Sequence, residues 1–531
     1  MRFVLLSLSL LLAPALAAAP PYPPEPVPGS LVIVGGGKMP DEARTEFVRL
    51  AGGPDAKLVV VPTASVAADE PKDAGAFTKP WTDAGVKSVT LFHTRDRKQA
   101  DSDEFVKPLA TATAVWFSGG DQAKIAEAYR GTKAEAAFKK VLARGGVVGG
   151  TSAGAAILSD LMITGGTDNA TTGTGLGFLP GVVVDQHFNQ RKRLKRLEGV
   201  IAKNPEYVGL GIDEGAAVIL RQGRFLKIVG GNVTTCLAKS PTKPALSEVS
   251  EKGAIDLFQL RRAAHFRAAK EQFPLKTAAI PEVKKGALVI VGGGGAGPEI
   301  WKKFIELAGG PDSKIVFVAT AMDDPVPVNA GELKAFARYG AKNVTALHTR
   351  DRKKADDPEF SKALTDATGV WFSGGRHWRF IDSYEGTLTE KRLRAVLDRG
   401  GVIGGSSAGA SIQAEYMPRG HPLGNTVMAA EGYERGLGYL PGCAVDQHFF
   451  ARKRLADMTG LMKQYPQLLG VGIDEGTAIV VTGTTAEVIG KSKVAFYDYR
   501  TKPKPGASDY TEVKTGESYD LKGRAKLDAK E

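Results

Sequence analysis

Only two cysteines, Cys236 and Cys443, occur in 531 residues, and they form no CxxC pair. That removes a disulfide framework, and with it the paired thiolates of structural zinc and redox sites. Both thiols read as ordinary buried side chains, with a bond between them left open. Histidines number seven, so any chemistry that needs imidazole has few to draw on. After residue 20 no apolar run approaches the length of a membrane helix. Cations outnumber anions, 70 Lys and Arg against 58 Asp and Glu, for a net charge of +12. They are scattered among carboxylates as on a solvated surface, and no basic-aromatic pattern points to nucleic acid. With 43% hydrophobic and 24% charged residues, the composition is that of a globular chain, neither disordered nor fibrous.

What is present begins with MRFVLLSLSLLLAPALAAAP. An early arginine, a short apolar stretch and the small residues Ala15-Leu16-Ala17 read as a secretory signal peptide over 1–19. The PPYPPEPVP that follows reads as an extended linker over 20–29. Beyond it the chain repeats itself. HTRDRK occurs at 93–98 and 348–353, FSGG at 117–120 and 372–375, VDQHF at 184–188 and 445–449, and GIDEG at 211–215 and 472–476. Ser407 lies 255 positions after Ser152 but His448 lies 261 after His187, so the second copy carries six extra residues between them. A repeat this long is a duplicated domain rather than a solenoid.

Within the first copy LVIVGGG, KLVVVPTA, SVTLFHT, AVWFSGG and GGVVGG begin roughly 25–30 residues apart, the pitch of βαβ units. Runs apolar at every position suit parallel strands buried on both faces. The expectation is an α/β fold with a doubly wound, mostly parallel sheet, in two tandem domains over 30–246 and 286–500. An amphipathic helix within 247–274 would belong to a linker over 247–285, and the lysine-rich 501–531 would be a mobile tail.

GTSAG at 150–154 follows a strand and precedes a helix, and GSSAG repeats it at 405–409. A serine in such a turn needs small neighbours, and its hydroxyl then projects above the sheet as a nucleophile. Two histidine pairs compete as the base. His187 and His448 in VDQHF are preferred, while His93 and His348 in HTRDRK are read as structural. The orienting carboxylate comes from GIDEG, either Asp213 or Glu214. Gly119 and Gly120, together with the N–H of Ala153, are candidates for an oxyanion hole. GGGGAG at 292–297 satisfies GxGxxG, but GGGKMP at 35–40 does not, so a dinucleotide site is not expected.

FSGGDQ, GGTSAGA, VDQHFNQRKRLKRL and GIDEG, in that order, resemble cyanophycinase and its peptidase E relatives, the S51 serine peptidases. The resemblance implies a sandwich of the class I glutamine amidotransferase type, with Ser152 as nucleophile, His187 as base and Glu214 as its orienter. In the second copy Ser407, His448 and Glu475 take those places. It further implies a substrate pocket of Gln122, Asp185, Gln186, Arg191, Arg193 and Arg196, no metal or cofactor, and cyanophycin or a β-aspartyl peptide as substrate. In the second copy His377 matches Gln122 and Asp457 matches Arg196. An anion there should repel the same ligand, so the first copy is expected to hydrolyse cyanophycin and the second to bind something else, work poorly or brace the first. The family commonly pairs subunits, so the two copies are expected to pair within the chain. The alternatives are an aspartyl or isoaspartyl dipeptidase and a non-catalytic binding protein.

Overall fold

The computed structural model describes residues 22–528 apart from 222, 328–330, 502 and 504–505, so the expected signal peptide lies outside the described residues. Between Glu271 and Gln272 the chain divides into two compact units. In the first, successive side chains of each apolar strand point to opposite faces. Leu31 and Ile33 accordingly enter one core cluster and Val32 and Val34 the other. Such strands must be covered on both sides, and crossover helices do this for a parallel sheet.

Strands Ser30–Val34, Lys57–Val61, Ser88–Leu91, Ala114–Phe117 and Val147–Thr151 pair in parallel, in the spatial order third, second, fourth, fifth, first. Ala217–Arg221, Phe225–Val229 and Ala254–Asp256 extend the sheet antiparallel beyond the first strand. On one face Phe47 and Trp81, from helices Asp41–Ala51 and Ala74–Thr82, pack on Trp116. Helices Gln122–Tyr129 and Lys133–Ala143 and a smaller four-stranded sheet share the core of the other face. That smaller sheet contains the parallel neighbours Val182–Gln186 and Val208–Ile212.

The second unit repeats this plan. Val283–Val291, Lys314–Val318, Asn343–Leu347, Gly369–Phe372 and Val402–Ser406 pair in parallel in the same order. Leu440–Asp446 and Leu469–Ile473 are the parallel neighbours of its smaller sheet. The doubly wound, mostly parallel α/β architecture is present twice. Among the described residues no helix is long and apolar enough to cross a membrane. Cys236 and Cys443 are both free and buried, and burial pushes the Cys236 thiol up to about 12.

Three segments differ from expectation. Residues 22–29 are not a free linker: Val27 is buried in the first core, and the Tyr22 ring stacks on His265 at 3.7 Å. The 247–285 stretch does contain a helix, Leu257–Ala268, but its Leu257, Ala263 and Ala264 belong to that same core. Strand Ala254–Asp256 joins the main sheet just before it, so 247–271 completes the first unit, while 272–285 belongs to the second, whose first strand begins at Val283. From 501 onward the chain carries strands Thr511–Lys514, Ser518–Asp520 and Ala525–Leu527 in place of a mobile tail. Its composition is polar, but a sheet edge supplies backbone hydrogen bonds, and Val513, Tyr519 and Leu521 suffice as buried anchors. Tyr519 stacks on Phe496 at 3.9 Å. Replacing it, Tyr519→Ala, should cost about 3 kcal/mol of stability, read as a lowered urea midpoint; a mobile tail would leave the midpoint unmoved.

Candidate active site

Each serine sits on a turn that only small residues can make. Ser152 has φ 52° and ψ −114°, and Ser407 φ 56° and ψ −110°, a region that costs a non-glycine residue about 1–3 kcal/mol. A Cβ on Gly150 would lie 2.1 Å from Gly154 O, and one on Gly154 would lie 2.0 Å from Phe117 O. No side chain fits at either position, which accounts for the glycines of the motif. The strained serine is held from both sides, its N–H donating to Val34 O at 3.0 Å and its C=O accepting from Ala156 N at 3.0 Å.

The histidine and the acid come from adjacent strands of the smaller sheet. His187 follows Val182–Gln186 and Glu214 follows Val208–Ile212, whose ends are in register at Gln186 and Ile212. Ser152 Oγ lies 2.7 Å from His187 Nε2, and His187 Nδ1 lies 2.6 Å from Glu214 Oε1. Asp213 instead accepts from the N–H and side-chain amide of Asn189 at 3.0 and 3.1 Å, tethering the loop after the histidine. The choice between Asp213 and Glu214 is thereby resolved geometrically for Glu214.

Sequence reasoning missed the surface on which the imidazole rests. The glycines at 35–37 end the first strand, and a Cβ on Gly36 would lie 2.2 Å from His187 Cε1. His187 N–H donates to Gly35 O at 2.7 Å, and Gly215 N–H donates to Gly36 O at 2.9 Å. Gly293 stands in the same relation to His448, with its Cβ direction 2.3 Å from the ring Cε1. The glycine strings make room for an imidazole, and their recurrence at the end of the first strand of both copies was the available signal.

His93 lies elsewhere. Its Nε2 is 3.0 Å from Asp69 Oδ1 and its Nδ1 3.0 Å from Thr63 Oγ1. Arg95 clamps the same loop through Asp69 and Ser65 O, and Arg95 first, then His93, holds the Asp69 carboxyl down to about 2. That loop backs the proposed oxyanion region, since a Cβ on Gly120 would lie 2.2 Å from Ala64 O. Gly119 stands beside the serine, with its Cβ direction 3.4 Å from Ser152 Cβ.

The expected substrate residues divide into two groups. Asp185 and Arg196, both buried, are bonded to each other through Nε–Oδ2 at 2.9 Å and Nη2–Oδ1 at 2.5 Å. Their charges are spent internally. Gln122 Nε2 donates to Ile163 O at 2.7 Å, which ties it to strand Leu161–Gly165. Arg193 donates to Gln186 O at 2.6 Å, and burial brings it down to about 10, so it keeps its charge at neutral pH. Arg191 is exposed, and Gln186 Oε1 is buried without a hydrogen-bond partner among the described residues. Of these two, Arg191 is the one open to a ligand.

The second unit keeps the geometry. Ser407 Oγ lies 2.9 Å from His448 Nε2, and His448 Nδ1 lies 2.5 Å from Glu475 Oε1. His377 Nε2 donates to Pro418 O at 3.0 Å, replacing the tether made by Gln122. Asp457 is not a bare anion in a pocket: it accepts from Arg419 Nη2 at 2.6 Å. The reversed charge at 457 is thus met by a cation of the same unit.

Fold and site together define an α/β protein with a hydroxyl, an imidazole and a carboxylate in hydrogen-bonded sequence at the carboxyl edge of a doubly wound sheet, twice over. The profile of peptidase family S51 matches residues 31–228 and 283–489; the chain belongs to that family, as a tandem duplication, and is a peptidase. It is 32% identical over 246 residues to the cyanophycinase of Synechococcus elongatus, covering 44% of this chain and 76% of that one. The cyanophycinase of Geminocystis herdmanii (strain PCC 6308) is 29% identical over 245 residues, covering 44% and 89%. Among solved structures it is similar to a peptidase from an acI-B1 Actinobacterium, at 23% identity and a TM-score of 0.37, covering 43% of this chain and 97% of that one.

Burial holds the His187 pKa below its ordinary 6.5, the hydrogen bond to Glu214 opposes this, and the charges of Arg191 and Arg193 lower it further. The ring is therefore neutral at pH 7 and able to accept a proton. Removing a neighbouring cation relieves repulsion of the imidazolium, so Arg191→Gln should raise the His187 pKa. An NMR titration of the ring Cε1–H reads the shift directly, and a pKa that stays put or falls would contradict the assignment.

Proposed function

We propose that the protein is an exported serine-type exopeptidase that hydrolyses cyanophycin, the arginine-bearing polyaspartate, to β-Asp-Arg dipeptides. The observation that carries this reading is the strained Ser152 hydroxyl 2.7 Å from an imidazole that is itself 2.6 Å from a carboxylate. His187 takes the proton of Ser152 as Oγ attacks the scissile carbonyl, and Glu214 keeps Nδ1 protonated so that Nε2 is the accepting nitrogen. The tetrahedral oxyanion is met by the N–H groups of Gly119, Gly120 and Ala153, at about 3 kcal/mol per donor. His187 then protonates the leaving amine, and water, activated by the same imidazole, releases the acyl group from Ser152.

Substrate recognition follows from what is left unpaired. Each cyanophycin unit offers carboxylate and guanidinium groups. Arg191, exposed beside the histidine loop, is free to meet a carboxylate. The similarity to proteins named cyanophycinase supports this substrate class, and the signal-like residues 1–19 support export.

Purified protein incubated with cyanophycin should release β-Asp-Arg, and Ser152→Ala together with Ser407→Ala should lower that rate by at least about 10³-fold. Hydrolysis of Asp-X dipeptides without attack on cyanophycin would indicate the dipeptidase instead, and no hydrolysis of either would indicate a binding protein. Gly36→Ala, in a Ser407→Ala background, should displace the imidazole and lower kcat by about 10²-fold. An unchanged kcat would mean that the ring does not work from its seat on Gly36.

A further inference from the structure

We propose that Arg419 is the positioning residue of the second centre, doing for His448 what Arg196 does for His187, and that the second centre is therefore built to turn over. The inference rests on the reading of Ser407 as a nucleophile.

In both units a fully buried aspartate stands two residues before the histidine, at the end of the strand that delivers it. Asp185 and Asp446 each have no exposed surface. A carboxylate so placed must be met by cations, and each is met by two arginines. One is equivalent in the two units. Arg193 reaches Asp185 at 3.6 Å and donates to Gln186 O at 2.6 Å, while Arg454 reaches Asp446 at 2.9 Å and donates to Gln447 O at 2.6 Å. The carbonyl it holds belongs to the residue just before the histidine, so this cluster fixes the backbone from which the imidazole projects.

The other arginine comes from a different part of the chain in each unit. Arg196, on helix Leu194–Lys203, grips Asp185 with Nε and Nη2 and anchors Gly166 O with Nη1 at 2.7 Å. In the second unit Asp457, on helix Leu455–Gln464, occupies the corresponding position. The cation arrives instead from the longer segment between serine and histidine. Arg419 Nε lies 3.1 and 3.0 Å from the two oxygens of Asp446, and its Nη2 lies 2.6 Å from Asp457 Oδ2.

The register between the copies is fixed independently. Gln122 holds Ile163 O and His377 holds Pro418 O, so Thr164 and Arg419, the next residues, occupy equivalent places. Arg419 also has φ 63°, a left-handed conformation uncommon for a long side chain. It is held there with its guanidinium engaged by two carboxylates and only 3% exposed. The reversed charge at 457 and the cation at 419 form one exchange between the units: the first places its arginine on the helix, the second on the loop, and Asp457 is that arginine's second partner.

The test uses the full chain carrying Ser152→Ala, so that only the second centre reports. Arg419→Thr installs the residue of the first unit. It should lower both the rate of Ser407 phosphonylation by a fluorophosphonate ester and kcat for β-Asp-Arg release by about tenfold or more, with KM little changed. Adding Asp457→Arg rebuilds the first unit's arrangement and should restore both rates to within about threefold. If Arg419→Thr alone does not fold, the double variant decides, and activity in it supports the exchange. Four results would overturn the proposal: unchanged rates in a folded Arg419→Thr, a change confined to KM, a folded but inactive double variant, or a parent whose Ser407 is never phosphonylated. Phosphonylation without β-Asp-Arg release would overturn the substrate assignment instead, and Arg419 would still be judged by the phosphonylation rates.

Discussion

The imidazole of His187 rests against a residue with no side chain, and the rest of the site is arranged around that contact. Gly36 sits at the end of a strand of the main sheet, whereas His187 ends a strand of the smaller one. Only a bare Cα lets the two approach closely enough for the ring to reach Ser152, which leaves the neighbouring strand Val147–Thr151. The backbone bond from His187 N–H to Gly35 O, at 2.7 Å, sutures the two sheets at this point. The serine's positive-φ turn then aims Oγ at the ring. Strain at the serine and closeness at the glycine are two sides of one geometric requirement.

Behind the ring, charge does the positioning. The buried aspartate two residues upstream needs its arginines, because a lone buried carboxylate costs several kcal/mol. One arginine of each pair, Arg193 or Arg454, in turn holds the carbonyl of the residue before the histidine. This explains why residues that look like substrate ligands in sequence, Asp185 and Arg196 above all, are bonded to each other and have no surface to offer. It also explains how the second unit tolerates a reversed charge at 457. The requirement is for a cation on the aspartate, and the chain position that supplies it is free to move.

The duplication, the five parallel strands of each copy and the elbow were legible because each is a local pattern. Apolar runs such as LVIV and LVVV mark buried strands, and glycines bracket a serine where no Cβ fits. Less legible was anything that depends on what a residue meets across the fold. Asp213 and Glu214 are adjacent in sequence and cannot be told apart until Asn189 is seen beside one and His187 beside the other. GGG at 35–37 reads as a turn, and GGGG at 292–295 as part of a weak nucleotide motif, until an imidazole is found on each. Val513, Tyr519 and Leu521 are too few to stand out in a lysine-rich stretch, yet they anchor three strands at the margins of the two sheets. Arg419 could have been suspected from the six extra residues and the reversed charge together, but nothing local connects them.

The central claim is that Ser152 carries the acyl group during hydrolysis, and the most direct measurement is to find that group. Acid quenching of the protein during cyanophycin turnover, followed by peptide mapping by mass spectrometry, should place a covalent increment on the peptide containing Ser152. In His187→Ala protein that increment should be absent. Turnover that proceeds with no increment on either serine peptide, or an adduct on another side chain, would contradict the account.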